Sequence, residues 1–115
     1  MYKILVCGSR HWNDWEKMKT RLDLFGPDIS LILGDAKGAD LMAEQYARGH
    51  KIPFMVFYAD WKRQGLAAGP IRNRKMLDEK PDLILAFHEN IAASKGTKDC
   101  VNEAARRGFH VEIVT

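Results

Sequence analysis

Gly34 and Gly38, four positions apart, join a run of branched apolar residues, Leu31, Ile32 and Leu33, to an amphipathic segment from Leu41 to Gly49. The pattern reads as strand, tight turn, helix. Such a junction leaves backbone N–H groups unpaired at the helix start, adds the positive end of the helix dipole, and lets glycine bring backbone close to a ligand. The chemistry it offers is the cradling of an anion. Lys37 adds a cation there, and Asp35 and Asp40 are placed to accept hydrogen bonds from ribose hydroxyls, with capping of the helix an equal alternative for Asp40.

Other glycine-bearing stretches carry reactive side chains. They are Gly8, Ser9 and Arg10; Ala59 to Asn73, which holds Asp60, Trp61, Gly69, Arg72 and Asn73; and Ser94, Lys95, Gly96 and Thr97. Together with the first junction they offer the cations Arg10, Lys37, Lys62, Arg63, Arg72, Arg74, Lys95 and Lys98. Trp61 either stacks on a base, since an aromatic face accepts any purine or pyrimidine, or pins its loop to the core. His11 and His88 stand at strand ends, and Glu89 beside His88 has the chemistry of a general acid or base. Neither GxGxxG nor GxxxxGK[ST] is present, which removes the usual dinucleotide and P-loop fingerprints. With no CxxC and no Cys/His cluster, no metal site is expected, and Cys7 and Cys100 read as buried free thiols.

The elements that must position these residues follow from apolar periodicity. Tyr2 to Cys7 reads as a strand covered on both faces. Asn13 or Asp14 caps a helix carrying Trp15, Met18, Leu22 and Phe25, which Gly26 and Pro27 end. A strand around Ser30 to Leu33 precedes the Gly34 junction, whose helix turns Ala39, Met42, Ala43, Tyr46 and Ala47 inward. Phe54 to Tyr58 reads as a third, buried strand. The connection Ala59 to Gly69 is longer than packing needs, and Pro70 suits the first turn of the helix after it. Leu83 to Phe87 is a fourth strand; His88 to Gly96 is a long loop; a helix from Thr97 turns Cys100, Val101, Ala104 and Ala105 inward. The alternation in Phe109 to Val114 marks an edge strand.

Strand and helix alternate throughout, which predicts an α/β fold: a Rossmann-like three-layer α/β/α arrangement, a mostly parallel sheet of about five strands with helices on both faces, in one domain spanning residues 1–115. In such a sheet the strand-to-helix loops emerge at one edge, where ligands bind. The residues named above therefore converge on one rim.

The composition is that of an ordinary globular protein: 115 residues, 46% hydrophobic and 29% charged, with a net charge of +3. No apolar run approaches the roughly 20 residues of a membrane span, and the start of the chain lacks a signal-peptide core. A cytoplasmic location is expected, and the mild basic excess accommodates anionic partners.

Five ordered motifs carry a family resemblance: Gly8-Ser9-Arg10; Gly34 to Asp40 with Ala43 and Ala47; Ala59-Asp60-Trp61; Ala68 to Asn73 with Met76; and Ser94 to Thr97. The chain resembles the small YspA-like, YpsA-related branch of the SLOG superfamily, the Rossmann-like group that includes the DprA/Smf and LOG proteins. The resemblance implies a cytoplasmic module, commonly a homo-oligomer, that binds a nucleotide or a nucleotide-derived small molecule such as ADP-ribose or NAD, with no cofactor required. It assigns Gly8, Ser9, Gly34, Gly38, Gly96 and Thr97 to phosphates, Arg10 and Arg72 to charge pairing, Asp40 or Asp60 to ribose, and Trp61 to stacking. Two alternatives stand beside it. One is a hydrolase of the nucleotide N-glycosidic bond, like the LOG phosphoribohydrolases, with Asp99, Glu89 or Asp40 as the acid; the run Ala93 to Asp99 has two glycines fewer than the LOG motif. The other is single-stranded nucleic-acid binding, as in DprA.

Overall fold

The branched apolar runs form the sheet. In the computed structural model, which describes all of residues 1–115, β1 (Tyr2–Gly8), β2 (Ile29–Leu33), β3 (Phe54–Val56), β4 (Leu83–Phe87) and β5 (Val111–Val114) pair in parallel in the order β3-β2-β1-β4-β5. The connecting helices are α1 (Trp15–Asp23), α2 (Ala39–Gly49), the single turn α3 (Trp61–Gln64), α4 (Ala68–Asp78) and α5 (Gly96–Arg106). The expected Rossmann-like α/β class is observed, with every strand parallel.

Successive strand side chains point to opposite faces, so the central strands build two cores. Ile4, Val6, Leu31, Leu33, Leu85 and Phe87 face Met18 and Leu22 of α1 and Ala39, Ala43, Tyr46 and Ala47 of α2. Leu5, Cys7, Ile32, Ile84 and Ala86 face Met76 and Leu77 of α4 and Cys100 and Ala104 of α5. β1 and β4 lie inside the sheet and are apolar on both faces, as covered parallel strands must be. Strand order reverses between them, which makes their carboxyl ends the switch point of the sheet.

Three local expectations are corrected. β3 is an edge strand of three residues, its Met55 half exposed and Phe57 and Tyr58 beyond its end, because β2 is its sole partner. In the connection that follows, Asp60 accepts the Arg63 N–H at 3.3 Å and starts α3, so Trp61 stands on a helical turn rather than in an open loop. On α5 the buried row is Thr97, Cys100, Glu103 and Ala104, with Ala105 exposed. Glu103 is tolerated inside because Arg106 and Arg107 fold back onto it and Arg74 approaches from α4; their hydrogen bonds and charge pull its carboxyl down to about 2. Asp14, one of two candidate caps, accepts the Lys17 N–H at 3.0 Å. No helix is long and apolar enough to cross a membrane.

Candidate functional site

A cavity of about 610 Å³ opens at the switch point, on the α4/α5 side of the sheet. Its floor carries Cys7 from the end of β1 and Cys100 from α5. One wall is the stripe Gly69, Arg72, Asn73 and Met76 of α4, at the spacing of one helix face. The loop after β1 contributes Gly8, Ser9, Arg10 and His11, and the segment after β4 contributes His88, Ala93 to Thr97 and Asp99. Trp61 and Leu66 form the outer lip, 55% and 93% exposed. The end of the Trp61 indole lies over Gly69, 3.2 Å from where a Cβ would stand, so the glycine lets the ring rest on α4 while its face stays half open.

The start of α5 presents open donors on the cavity wall. Ser94 Oγ accepts the N–H groups of Thr97 and Lys98 at 3.0 and 3.4 Å, but those of Lys95 and Gly96 find no acceptor in the chain, and neither does that of Arg10. An eleven-residue helix adds its dipole at this point. Asn73, buried on α4, holds the turn by donating to Gly96 O at 3.3 Å and to Asp99 Oδ2 at 3.1 Å, and its own carbonyl accepts from Arg72 Nε at 3.1 Å.

The start of α2 is built differently from the cradle expected there. Its Ala39 N–H donates to Ser9 O at 3.0 Å, and Gly38, at φ +69°, sits so close that a Cβ would overlap the Ser9 and Arg10 carbonyl groups. The junction is filled by the loop after β1. Gly34, Asp35, Lys37 and Gly38 accordingly lie outside the cavity lining. Gly34 instead makes room for two side chains: a Cβ there would stand 2.7 Å from Asp40 Oδ2 and 2.8 Å from Arg72 Nη1. Arg72 is pinned by Asp35 at 2.7 Å. Asp60 and Glu89 also lie outside the lining, and so do Lys62, Arg63, Arg74 and Lys98. Asp60 is spent on its cap, while the Ser9 hydroxyl holds the exposed Glu89 carboxyl below its usual range. Ser9 lines the cavity with its hydrogen bonds used internally: its N–H donates to Phe87 O, its C=O accepts from the Ala39 and Trp12 N–H groups, and its Oγ accepts from the His11 N–H.

Asp40 has the least usual environment. It is 6% exposed, in the first turn of α2 and on the cavity wall. Oδ2 accepts the Ala36 N–H at 3.1 Å, whereas the buried Oδ1 has no partner. Burial raises its carboxyl to about 7, only partly opposed by the Ala36 N–H and Arg72. Cys7 is raised too, by its hydrogen bond with Cys100 and by burial, which keeps the floor thiol protonated and unreactive.

The structure thus brings together Gly8, Ser9, Arg10, Asp40, Trp61, Gly69, Arg72, Asn73, Ser94, Lys95, Gly96, Thr97 and Asp99 of the residues singled out by sequence. Cys7 and Cys100, expected as buried thiols, also line the cavity, and so does Met76, which the sequence places only in a family motif. The terminal position of Cys7 on its strand was the available signal; Leu66 carried none.

Fold and cavity together define a Rossmann-like α/β protein whose candidate site lies at the topological switch point. The family profile described as YspA, cpYpsA-related SLOG family matches residues 2–64, and the chain belongs to that family. It is 32% identical over 120 residues to the Gene 61 protein of Mycobacterium phage D29, covering 96% of this chain and 94% of that one. Among solved structures it is similar to DNA processing protein A (DprA) from Streptococcus pneumoniae, with a TM-score of 0.54 and 16% identity over 97% of this chain. The chain spans 58% of that protein, and the likeness is one of fold. The profile match ends at Gln64, before α4 and α5, which supply much of the cavity wall.

Proposed function

We propose that the cavity binds a nucleotide or nucleotide-derived small molecule of the ADP-ribose or NAD type. One observation carries this: a single cavity of about 610 Å³ holds a half-exposed indole, the unpaired N–H groups of Lys95 and Gly96 at a helix start, and the cations Arg10 and Lys95. The volume is of the size that small-ligand sites have. Phosphate oxygens would sit on the α5 start and a base on Trp61. Family membership supports the same ligand class.

Calorimetric titration with AMP, ADP, ADP-ribose and NAD tests it. Binding in the micromolar range is expected for at least one, and Trp61→Ala is expected to weaken it about tenfold, since base stacking on an aromatic side chain contributes about 1–3 kcal/mol. Affinities no tighter than millimolar across the panel would contradict the proposal. A complex with a DNA oligonucleotide that weakened steeply with salt would favour single-stranded nucleic acid instead.

A second reading, hydrolysis of the nucleotide N-glycosidic bond, draws on Asp99, whose carboxylate Asn73 holds at 3.1 Å on the cavity wall. A fixed carboxylate there would stabilise positive charge developing on the ribose. Release of adenine and ribose 5-phosphate from AMP would establish this; turnover no faster than buffer retires it.

A further inference from the structure

We infer that the segment Trp61–Ala67 is a lid that closes over the bound nucleotide and buries Leu66 against it; this rests on the nucleotide reading of the same cavity. The starting point is an apolar surface left in water. Every residue from Trp61 to Ala67 is exposed, and neither α3 nor the turn Gly65–Ala67 after it buries a side chain. The segment nevertheless carries two large apolar groups, Trp61 and Leu66, and both stand on the lip of the cavity, Leu66 with 93% of its surface open. Apolar side chains grouped at a cleft, unlike ones scattered singly, mark a surface that something covers. Both line the cavity rather than the outer face of the sheet, so the group within their reach is the ligand. A flat base on Trp61 supplies the apolar face that Leu66 lacks.

The segment is also lightly tethered. It leaves β3, the edge strand whose sole neighbour is β2, so no further strand flanks it. Its packing is on α4, where the end of the Trp61 indole rests over Gly69. Its one side-chain hydrogen bond and one ion pair both join Asp60 to Arg63, at 3.3 Å to the N–H and 3.9 Å to Nε, and therefore move with the turn. Gly65, at φ 57° and ψ −136°, has nothing within 4 Å of where a Cβ would stand, so the backbone can rotate there without collision. Few contacts to break on opening, and apolar surface that is covered only on closing, are the properties of a lid over a ligand site.

The test uses the full chain with AMP, ADP-ribose and NAD, each at a concentration that calorimetry shows to be saturating, and reads the lid twice. In Leu66→Cys, alkylation of the introduced thiol by N-ethylmaleimide is followed by peptide mass spectrometry, which separates it from the buried Cys7 and Cys100. Ligand is expected to slow that alkylation about tenfold or more, in proportion to the loss of the open form. A ligand lying beneath an unmoved segment would leave so exposed a position largely reactive. Leu24→Cys, at an exposed position after α1, is the control and is expected to be unaffected. In wild type, tryptic cleavage after the exposed Lys62 and Arg63 is expected to slow by a similar factor. Either rate unchanged at saturation overturns the lid and leaves the nucleotide reading intact, as does equal slowing in Leu24→Cys. Binding of none of the three ligands removes the nucleotide reading and the lid with it.

Discussion

Gly38→Ala is expected to lower unfolding stability by on the order of 3 kcal/mol or more, the sum of a left-handed backbone cost and an overlap in a packed junction. Gly38 has φ 69° and ψ −119°, and an added Cβ would run into the carbonyl groups of Ser9 and Arg10. Both obstacles are backbone, so neither can rotate away. Relief requires pulling the start of α2 off the loop after β1, which breaks the Ala39 N–H bond to Ser9 O and moves Arg10 at the cavity mouth. Gly49→Ala is the matched comparison. A Cβ there meets nothing within 4 Å, so a change under about 1 kcal/mol, in the stabilising direction, is expected from helix propensity. Urea unfolding of the two variants measures the difference, and a Gly38→Ala midpoint equal to that of wild type would show that this junction is not closely packed.

Asp40→Asn is expected to make the protein more stable above neutral pH by up to about 4 kcal/mol, from about 1.4 kcal/mol for each pH unit between the free and folded carboxyl. The free carboxyl titrates at 3.8 and the buried one at about 7. Between those values the folded state holds a proton that the unfolded state has released, so stability falls as pH rises from about 4 to about 7 and is level above. Arg72 and the Ala36 N–H oppose the shift, and Asp35 adds to it. The acid side has the opposite slope. Glu103 is pulled down to about 2 by its arginines, and Asp23, Glu89 and Glu112 are lowered by Lys19, Ser9 and Arg21 in turn. Their contributions are whole above about pH 4.5 and are lost as pH falls through the folded values. Maximum stability is therefore expected in mild acid. Asp40→Asn should flatten the limb from pH 4 to 7 and leave the acid limb in place. Thermal or urea unfolding from pH 3 to 9 decides it, and identical slopes between pH 4 and 7 in variant and wild type would mean that Asp40 ionises without penalty.

Much of the fold was legible because its signals are local. Branched apolar runs alternating with segments like Ala39 to Ala47 specify a parallel sheet with helices on both faces, and the strand-end rule then places the loops at one edge. Spatial neighbours were not legible. The spacing of Gly34 and Gly38 shows that something approaches the backbone, and it is the Ser9 and Arg10 carbonyls, together with Asp40 and Arg72, that do so. A helix start that opens into the cavity and one packed against another loop look alike in sequence, which is why the donors on the cavity wall are those of Lys95 and Gly96 and not those after Gly38. For Phe54 to Tyr58 the apolar run does not reveal how many neighbours the strand has, and β3 has one. Glu103 was invisible for the same reason, since its burial depends on three arginines folding onto it, one of them from α4.

The central claim is that a nucleotide occupies the switch-point cavity with its phosphate on the start of α5. Titration of ¹⁵N-labelled protein with AMP, followed by amide and indole NMR shifts, tests it most directly. The largest changes are expected at the amides of Arg10, Lys95, Gly96 and Thr97 and at the Trp61 indole, with little at Gly34, Lys37 and Gly38. No shifts at millimolar AMP, or shifts centred on the groove between α1 and β5 around Thr20, Leu24 and Ile113, would contradict it.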